Sequence, residues 1–188
     1  MTRYLTAQLF ISLDGVVESP EEWHFPFVDD ELLELVNDEQ EDASTLLLGR
    51  RTYENFAASW PLRDDSVPLA KHLNSMEKVV VSDTLEKADW ENSRILRPRG
   101  DLAGVVRELT AGAGEPITVA GSIDLVVGLL QARLLNDLQL LVHPVVVGRG
   151  RRLFDNWTGE PLRLDSGMTV AETSSGVRRL SYFRSRRR

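Results

Sequence analysis

The stretch TLLLGRRTYE, residues 45–54, predicts how the rest of the chain is arranged. Three consecutive leucines between polar residues are typical of a short strand that is buried on both faces, as in a parallel sheet. Gly49 follows them and lets the backbone turn closely. Residues 50–52 then form the first turn of a helix, where backbone N–H groups have no partner within the helix. The stretch therefore predicts a strand, a tight turn and a helix start.

The residues at this helix start favour an anion as ligand. Arg50 and Arg51 supply guanidinium groups and Thr52 supplies a hydroxyl. The free amides and the helix dipole add partial positive charge at the same place. A ligand that carries phosphate is the first candidate. The alternative is a solvated helix start without a ligand, and this stretch alone does not separate the two.

Length and composition indicate an ordinary globular protein. The chain has 188 residues, of which 42% are hydrophobic and 27% are charged, which is enough for a sizeable core. We therefore expect residues 1–188 to form a single domain. No apolar run is long enough to span a membrane, and the N-terminus lacks the pattern of a signal peptide. We expect a cytoplasmic protein that has no membrane partner.

Charge and residue types argue against several functions. A net charge of −7 argues against nucleic-acid binding, which would need a basic surface. The absence of cysteine excludes disulfides, thiolate catalysis and cysteine-ligated metals. His24, His72 and His143 lie far apart in the sequence without the spacing of metal ligands. We therefore expect no metal site.

Strands and helices alternate over the first two thirds of the chain, and strands then follow strands. Periodicity predicts strands at 3–12, 45–49, 78–84, 93–96, 116–120 and 137–142, with helices at 29–42, 51–58, after 68, 102–109 and 123–133. The extended pattern continues through 143–150. Two last strands, 161–172 and 176–185, predict an antiparallel hairpin. This order predicts a three-layer α/β/α sandwich, in which a mainly parallel central sheet carries an antiparallel C-terminal hairpin.

Small and polar residues follow three of the predicted strands, in the segments 49–52, 82–83 and 121–122. The carboxyl ends of parallel strands meet at one edge of a sheet, where ligands of such folds bind. We therefore expect these three segments to converge on one ligand.

In this order and spacing, the motifs resemble the dihydrofolate reductase fold, and within it the reductase half of the riboflavin-biosynthesis deaminase-reductases. Gly49-Arg50-Arg51-Thr52 is similar to the Gly-Arg-x-Thr motif that holds the NADPH pyrophosphate. Ala120-Gly121-Ser122 resembles the Gly-Gly turn at the cofactor, and residues 144–154 resemble the riboflavin-type Pro…Gly-x-Gly…Phe ending. No zinc-deaminase motif is present. The resemblance covers nearly the whole chain and implies a stand-alone reductase.

The resemblance implies an NAD(P)H-dependent oxidoreductase, with NADPH as the expected cofactor. It would transfer a hydride to a small heterocyclic substrate, and is most like the 5-amino-6-(5-phosphoribosylamino)uracil reductase of riboflavin biosynthesis. A dihydrofolate or pterin reductase is one alternative. A homologue that binds the nucleotide without turnover is another. We also expect a homodimer, because the valine-rich segment 142–147 would otherwise leave an apolar strand exposed near the sheet edge.

The resemblance also assigns roles to individual residues. Ser12 and Trp23 would contact the substrate, in the loop after the first strand and before the first helix. Asp14, Asp29 and Asp30 are candidates for delivering a proton through water if burial raises their pKa. Their alternative roles are to shape the loop and to cap the helix. The cofactor would be held by Gly49, Arg50, Arg51, Thr52, Ser82, Ala120, Gly121, Ser122 and Ile123.

Three further features bear on the substrate. The position at which dihydrofolate reductases bind the pterin ring with an acid falls on Val28. The ribose phosphate of a riboflavin-type substrate would need a basic contact, for which Arg149, Arg151 and Arg152 are candidates. The aromatic residues of the 23–27 segment would form either a lid over the site or a plug in the core.

Overall fold

The computed structural model describes residues 2–64, 67–167 and 171–184. Within these residues nine strands form one mixed sheet. The strands are β1 (Leu5–Ser12), β2 (Thr45–Gly49), β3 (Glu77–Val81), β4 (Ser93–Leu96), β5 (Ile117–Val119), β6 (Asp137–His143), β7 (Leu164–Ser166), β8 (Ala171–Glu172) and β9 (Arg178–Arg184). The helices are α1 (Asp30–Glu41), α2 (Arg50–Ser59), α3 (Pro68–Ser75), α4 (Leu102–Thr110) and α5 (Ile123–Gln131).

The sheet has the predicted mainly parallel topology. Its strand order is β4-β3-β2-β5-β1-β6-β9-β7, with β8 paired to β9. The pairs from β4 to β6 are parallel, whereas β6 with β9 and β9 with β7 and β8 are antiparallel. The predicted α/β fold with an antiparallel C-terminal end is therefore confirmed.

The helices cover both faces of the sheet, as the leucine run of β2 illustrates. Leu47 packs into a core that α4 and α5 share with β1 and β5. Leu46 and Leu48 point to the opposite face and pack with Tyr53 of α2 and with α3. All three leucines are fully buried. Alternate side chains of one strand thus fill two separate cores, which is the basis of the predicted three-layer arrangement.

The C-terminal third differs in detail from the predictions. Of the predicted strand 161–172, Leu164–Ser166 forms β7 and Ala171–Glu172 forms β8, whereas residues 168–170 lie outside the described residues, as does residue 185 of the second strand. The predicted turn is present, because the Thr173 carbonyl accepts a hydrogen bond from Gly176 N at 2.9 Å. Residues 161–163 lie outside β7, so the described strand begins later than the pattern predicted, and Gly167 N still donates a hydrogen bond to the Ser181 carbonyl on β9 at 2.7 Å.

The predicted edge position of the valine-rich segment is wrong. β6 lies between β1 and β9, so its backbone groups pair on both sides. Residues 144–150 leave the sheet as a loop, because the strand ends at His143 and Pro144 follows it. β6 has no exposed edge, so the reason given for expecting a dimer does not hold.

No helix among the described residues is long and apolar enough to cross a membrane.

A buried hydrogen bond ties α2 to the segment that follows β3. The Tyr53 hydroxyl accepts a hydrogen bond from Trp90 N at 2.9 Å, and both residues are buried. The Trp90 ring nitrogen donates in turn to Asn74 Oδ1 at the end of α3. The helix that begins at Arg50 is thereby anchored to a neighbouring part of the core.

We expect Tyr53→Phe to lower the free energy of unfolding by about 1–3 kcal/mol, because it leaves the buried Trp90 N–H without an acceptor. Urea unfolding measures the change. The matched control is Tyr182→Phe, because Tyr182 is half-buried and lies on β9. This variant should change the free energy of unfolding by less. An equal loss of stability in the two variants would contradict the assigned role of this hydrogen bond.

Candidate functional site

Two strand-to-helix turns meet at the carboxyl edge of the sheet. Gly49 N donates a hydrogen bond to the Gly121 carbonyl at 3.0 Å. A Cβ on Gly49 would lie 2.1 Å from Ser122 Oγ, and a Cβ on Gly121 would lie 2.9 Å from Thr52 Oγ1. Gly121 has φ +127°, and the Gly121–Ser122 peptide bond is cis. Only glycine fits at these two positions, because any larger side chain would push the turns apart.

Two helix N-termini lie at this contact. α2 begins at Arg50 after Gly49, and α5 begins at Ile123 after Ser122. Neither N-cap residue caps its helix with a side-chain hydrogen bond. Both first turns therefore retain N–H groups that no capping side chain satisfies, together with the positive ends of two helix dipoles. Such an arrangement binds phosphate or another anion.

The predicted cationic residues border the same turns. Arg50 is half exposed, with its Nη1 3.8 Å from Glu54 Oε1 on the next turn of α2. Arg51 is exposed. The pKa of Asp124, on the first turn of α5, is lowered mainly by a hydrogen bond from Arg151 and to a smaller extent by the charge of Arg51. Arg51 is thus close enough to α5 to affect a charge there. Ala120 packs against the core cluster that contains Tyr53.

The third predicted segment lies beside these turns, because Gly49 pairs with Val81 and Ser82 follows Val81. Ser82 is buried, and its hydroxyl accepts hydrogen bonds from Thr84 N at 3.2 Å and Leu85 N at 2.9 Å. The hydroxyl therefore holds its own loop in place. The predicted contact of Ser82 with a bound nucleotide stays a prediction.

Sequence reasoning missed the residue that fixes this loop. Arg97, directly after β4, donates hydrogen bonds to the carbonyls of Asp83 and Leu85, both at 2.9 Å. Asp83 accepts a hydrogen bond from Arg99 N at 3.0 Å. The signal available in the sequence was the pair Arg97 and Arg99. These arginines follow the predicted strand 93–96, which is the next strand along the chain after Asp83.

Asp14 anchors the loop that follows β6. Its Oδ1 accepts hydrogen bonds from Val147 N at 3.0 Å and Ser12 Oγ at 2.7 Å, and its Oδ2 accepts one from Gly148 N at 2.9 Å. These bonds, from Val147 first, lower the pKa of Asp14 to about 2. A carboxylate with such a pKa is ionised at neutral pH and holds no proton to deliver. The contacts favour the loop-shaping role over the role of proton donor.

Asp29 caps α1, as one of its two predicted roles requires. Its Oδ1 accepts a hydrogen bond from Leu32 N at 2.7 Å. Its Oδ2 accepts one from Ser175 N at 2.9 Å, which joins α1 to the C-terminal hairpin turn. The pKa of Asp29 is lowered, mainly by the bond from Leu32. Like Asp14, it carries a charge that two backbone groups stabilise.

Each of the three arginines after β6 pairs with a carboxylate from another segment. Arg149 Nη2 lies 3.4 Å from Glu22 Oε2, Arg151 Nη2 lies 2.5 Å from Asp124 Oδ1, and Arg152 Nη2 lies 3.6 Å from Asp14 Oδ2. The loop is therefore held to the Trp23 segment, to the start of α5 and to the end of β1. All three guanidinium groups have a carboxylate partner, so a phosphate at this loop would have to compete with it.

An aromatic cluster surrounds His143 at the carboxyl end of β6. This residue ends β6, pairs with Ser12 across the sheet and is fully buried. The rings of Phe10, Trp23 and Phe27 contact its imidazole edge-on, with centroids 5.1, 5.3 and 5.6 Å away. Trp23 is buried, and its Nε1 donates to the Glu18 carbonyl at 3.2 Å. Trp23 is therefore part of a plug in the core, whereas Phe25 is 61% exposed.

The cluster also brings together two histidines that are distant in the sequence. The His24 and His143 ring centroids are 6.2 Å apart, and His24 stacks on Phe10. Burial, and then the neighbouring His143, lowers the pKa of His24 to about 4, and burial also lowers the pKa of His143. Nothing in the local sequence signals this pair, because it depends on the register of β6 beside β1. No group of residues that could hold a metal ion is found among the described residues.

Comparisons with known proteins agree with this fold. The family described as the RibD C-terminal domain matches residues 3–172. A putative riboflavin biosynthesis protein from Shewanella sp. PV-4 superposes with a TM-score of 0.73 at 18% identity, over 97% of this chain and 99% of that chain. A diaminohydroxyphosphoribosylaminopyrimidine deaminase/5-amino-6-(5-phosphoribosylamino)uracil reductase from Thermotoga maritima superposes with a TM-score of 0.68 at 14% identity, over 98% of this chain and 57% of that chain.

Dihydrofolate reductase from Enterococcus faecalis, solved in complex with NADP(H), superposes with a TM-score of 0.62 at 15% identity, over 99% of this chain and 100% of that chain. At such identities these three likenesses are likenesses of fold.

The histidine pair predicts a pH dependence of stability. Both imidazoles have a lower pKa in the folded chain, so the unfolded chain binds more protons below its own histidine pKa of about 6.5. The free energy of unfolding should therefore fall as the pH drops from about 6.5 towards 4, by at most about 1.4 kcal/mol per pH unit for each histidine. Urea unfolding across this range should show a flatter profile for His24→Phe/His143→Phe than for the wild type. His72→Gln, on α3, is the control, and identical profiles for the wild type and the double variant would contradict the assignment.

We expect the substitution Asp14→Asn to loosen the loop after β6. The new amide places an N–H group against one of the backbone N–H groups that the carboxylate now binds, so hydrogen exchange at Val147 and Gly148 should become faster. Hydrogen–deuterium exchange measures this change, with Glu108→Gln on α4 as the control. Unchanged exchange in the loop would show that Asp14 does not anchor it.

Proposed function

We propose that this chain, which belongs to the RibD C-terminal domain family, is a reductase that transfers a hydride from NADPH to a small heterocyclic substrate. The observation that carries the proposal is the contact of Gly49 with Gly121, which brings two helix N-termini together beside Arg50 and Arg51. That arrangement suits the two phosphates of a dinucleotide. Residues 1–188 would serve this function as one domain.

The residues at the carboxyl edge fit such a cofactor. Neither Gly49 nor Gly121 carries a side chain, and the hydroxyls of Ser122 and Thr52 lie against them, so a pyrophosphate at the two helix starts would meet backbone amides and hydroxyl groups. Arg50, Arg51 and Thr52 would bind phosphate oxygens, with Ser122 and Ile123 supplying amides from the second helix. Ala120 would line the floor, and Ser82 would contact the adenosine ribose. When bound, NADPH supplies the hydride, and the chain supplies position and charge.

The substrate would bind between the aromatic cluster and the loop that Asp14 anchors. Trp23 and Ser12 would form one wall, and the burial of Trp23 helps to exclude water. The first candidate substrate is 5-amino-6-(5-phosphoribosylamino)uracil, which the name of the Thermotoga maritima protein includes. A dihydrofolate or pterin substrate is the second candidate, supported by the likeness to dihydrofolate reductase. Val28 offers no carboxylate for a pterin ring, which favours the first candidate.

One observation favours the alternative of a nucleotide-binding protein without turnover. Reduction needs a proton as well as a hydride, and two of the three predicted donors, Asp14 and Asp29, have a lowered pKa. In the reductase proposal the proton would reach the substrate from water. NADPH binding without oxidation in the presence of uracil-ribityl, pterin and quinone substrates would favour the alternative. A homodimer and a cytoplasmic location stay predictions.

We expect Arg50→Gln to raise the dissociation constant of NADPH about tenfold, the loss of one charge-assisted hydrogen bond to phosphate. Calorimetric titration measures the constant, and the wild-type affinity should fall as salt rises. Arg63→Gln is the matched control, because Arg63 stacks on Trp60 beyond the end of α2. No binding of NADPH to the wild type at millimolar concentration, or equal effects of the two variants, would overturn the proposal.

A further inference from the structure

We propose that the ion pair between Asp124 and Arg151 regulates the anion site at the start of α5. Asp124 holds the Arg151 guanidinium, and a phosphate that binds at this helix start competes with Asp124 for it. The carboxylate is therefore an internal competitor that weakens the binding of the cofactor. The inference rests on the proposed function and deepens it by naming how the same site is regulated.

The Asp124–Arg151 pair joins the loop after β6 to the first turn of α5. Arg151 Nη2 lies 2.5 Å from Asp124 Oδ1, and Nη1 lies 3.3 Å from Oδ2, so the guanidinium binds both carboxylate oxygens. Asp124 is the second residue of α5, which begins at Ile123. The guanidinium is thereby held at a first turn whose N-cap residue, Ser122, makes no capping side-chain hydrogen bond.

Asp124 stands where a bound phosphate would also be favoured. The positive end of a helix dipole stabilises both a carboxylate in the first turn and an external anion. Hydrogen bonding to Arg151 first, and to a smaller extent the charge of Arg51, lowers the pKa of Asp124, so this carboxylate is ionised at neutral pH. Arginines from the start of α2 and from the loop after β6 therefore act on one carboxylate. A phosphate that enters here is attracted by both arginines and repelled by Asp124.

The backbone of Arg151 is fixed, which leaves its guanidinium as the part that can change partner. Arg151 N donates to Glu18 Oε2 at 3.1 Å, and the Arg151 carbonyl accepts from Val17 N at 3.1 Å. The charges of Glu18 and Asp155 also act on Arg151, but Glu18 binds this backbone N–H and Asp155 binds the next one along the chain. Among the described residues, Asp124 is the carboxylate that contacts the guanidinium.

The exposure of the pair makes an exchange of partners inexpensive. The side chain of Asp124 is 66% exposed and that of Arg151 is 29% exposed. Exposed ion pairs contribute little to stability, since water solvates both groups when they separate. A phosphate has several oxygen atoms and full negative charge, so it can bind the same guanidinium in the same bidentate manner. The pair can therefore hold Arg151 and still yield it to a phosphate.

Removing the competitor should strengthen cofactor binding. We expect Asp124→Asn to lower the dissociation constant of NADPH about fivefold, the effect of one unit charge a few ångströms from a phosphate at an exposed position. Calorimetric titration at low and high salt measures the constant, and the gain should shrink as salt screens the charges. Glu22→Gln is the matched control, because it removes the same charge from a pair with Arg149 of the same loop.

A double-variant cycle shows whether Asp124 acts through Arg151. Arg151→Gln should raise the dissociation constant about fivefold, and Asp124→Asn should gain much less affinity in that background than in the wild type. An equal gain in both backgrounds, or an equal gain in Glu22→Gln, overturns the inference. A purely structural role of the pair would leave the affinity of Asp124→Asn unchanged or make it weaker, and either result also overturns the inference.

A measurement on the wild type alone does not depend on any variant. Arg151 lowers the pKa of Asp124, so the loss of this partner to a phosphate should raise that pKa. The side-chain ¹³C resonance of Asp124, followed against pH with and without saturating NADP⁺, measures the change, and an unchanged pKa contradicts the exchange. If NADPH still binds and Arg50→Gln weakens its binding, the proposed function stands and only the regulatory role of the pair is wrong. Failure of the wild type to bind NADPH contradicts both.

Discussion

The contact between the backbones of Gly49 and Gly121 is the constraint on which the site depends. It joins the end of β2 to the end of β5 through one hydrogen bond and leaves no room for a side chain on either residue. Because each strand leads directly into a helix, the same contact brings the starts of α2 and α5 together. The backbone N–H groups of both helix starts, which no capping side chain satisfies, then lie close together. A larger residue at either position would separate them and weaken the field that an anion experiences.

The acidic residues near this edge serve mainly to hold loops. Asp14, Glu18, Glu22 and Asp124 each bind a backbone amide or an arginine of the segment 147–152. This segment is thereby fastened at several points although it belongs to no strand. The same bonds keep Asp14 ionised, so a residue type that is often catalytic is here committed to structure. A carboxylate that stabilises a loop through its charge is ionised at neutral pH, so it cannot also be a proton donor there.

The sequence predicted the fold and the meeting of three strand ends, because both follow from local patterns. The leucine run of β2 and the glycine after it require no knowledge of distant residues, and parallel strands bring their carboxyl ends to one edge. The close pair of His24 and His143 could not be predicted. It depends on β6 lying beside β1 in a register that sets His143 opposite Ser12, and on the path of the loop that carries Trp23. The edge position assigned to 142–147 failed for a related reason, since β9 returns to cover β6.

The site thus combines two environments with opposite electrostatic requirements. At the ends of β2 and β5, exposed arginines and uncapped amides favour a ligand with negative charge. At the ends of β1 and β6, aromatic rings exclude water and hold two imidazoles in their neutral form. Burial makes charge expensive there. A phosphate-bearing molecule would therefore be favoured at the first of these ends, and a neutral ring at the second. In the reductase that we propose, this asymmetry would orient the two reactants without any residue touching both.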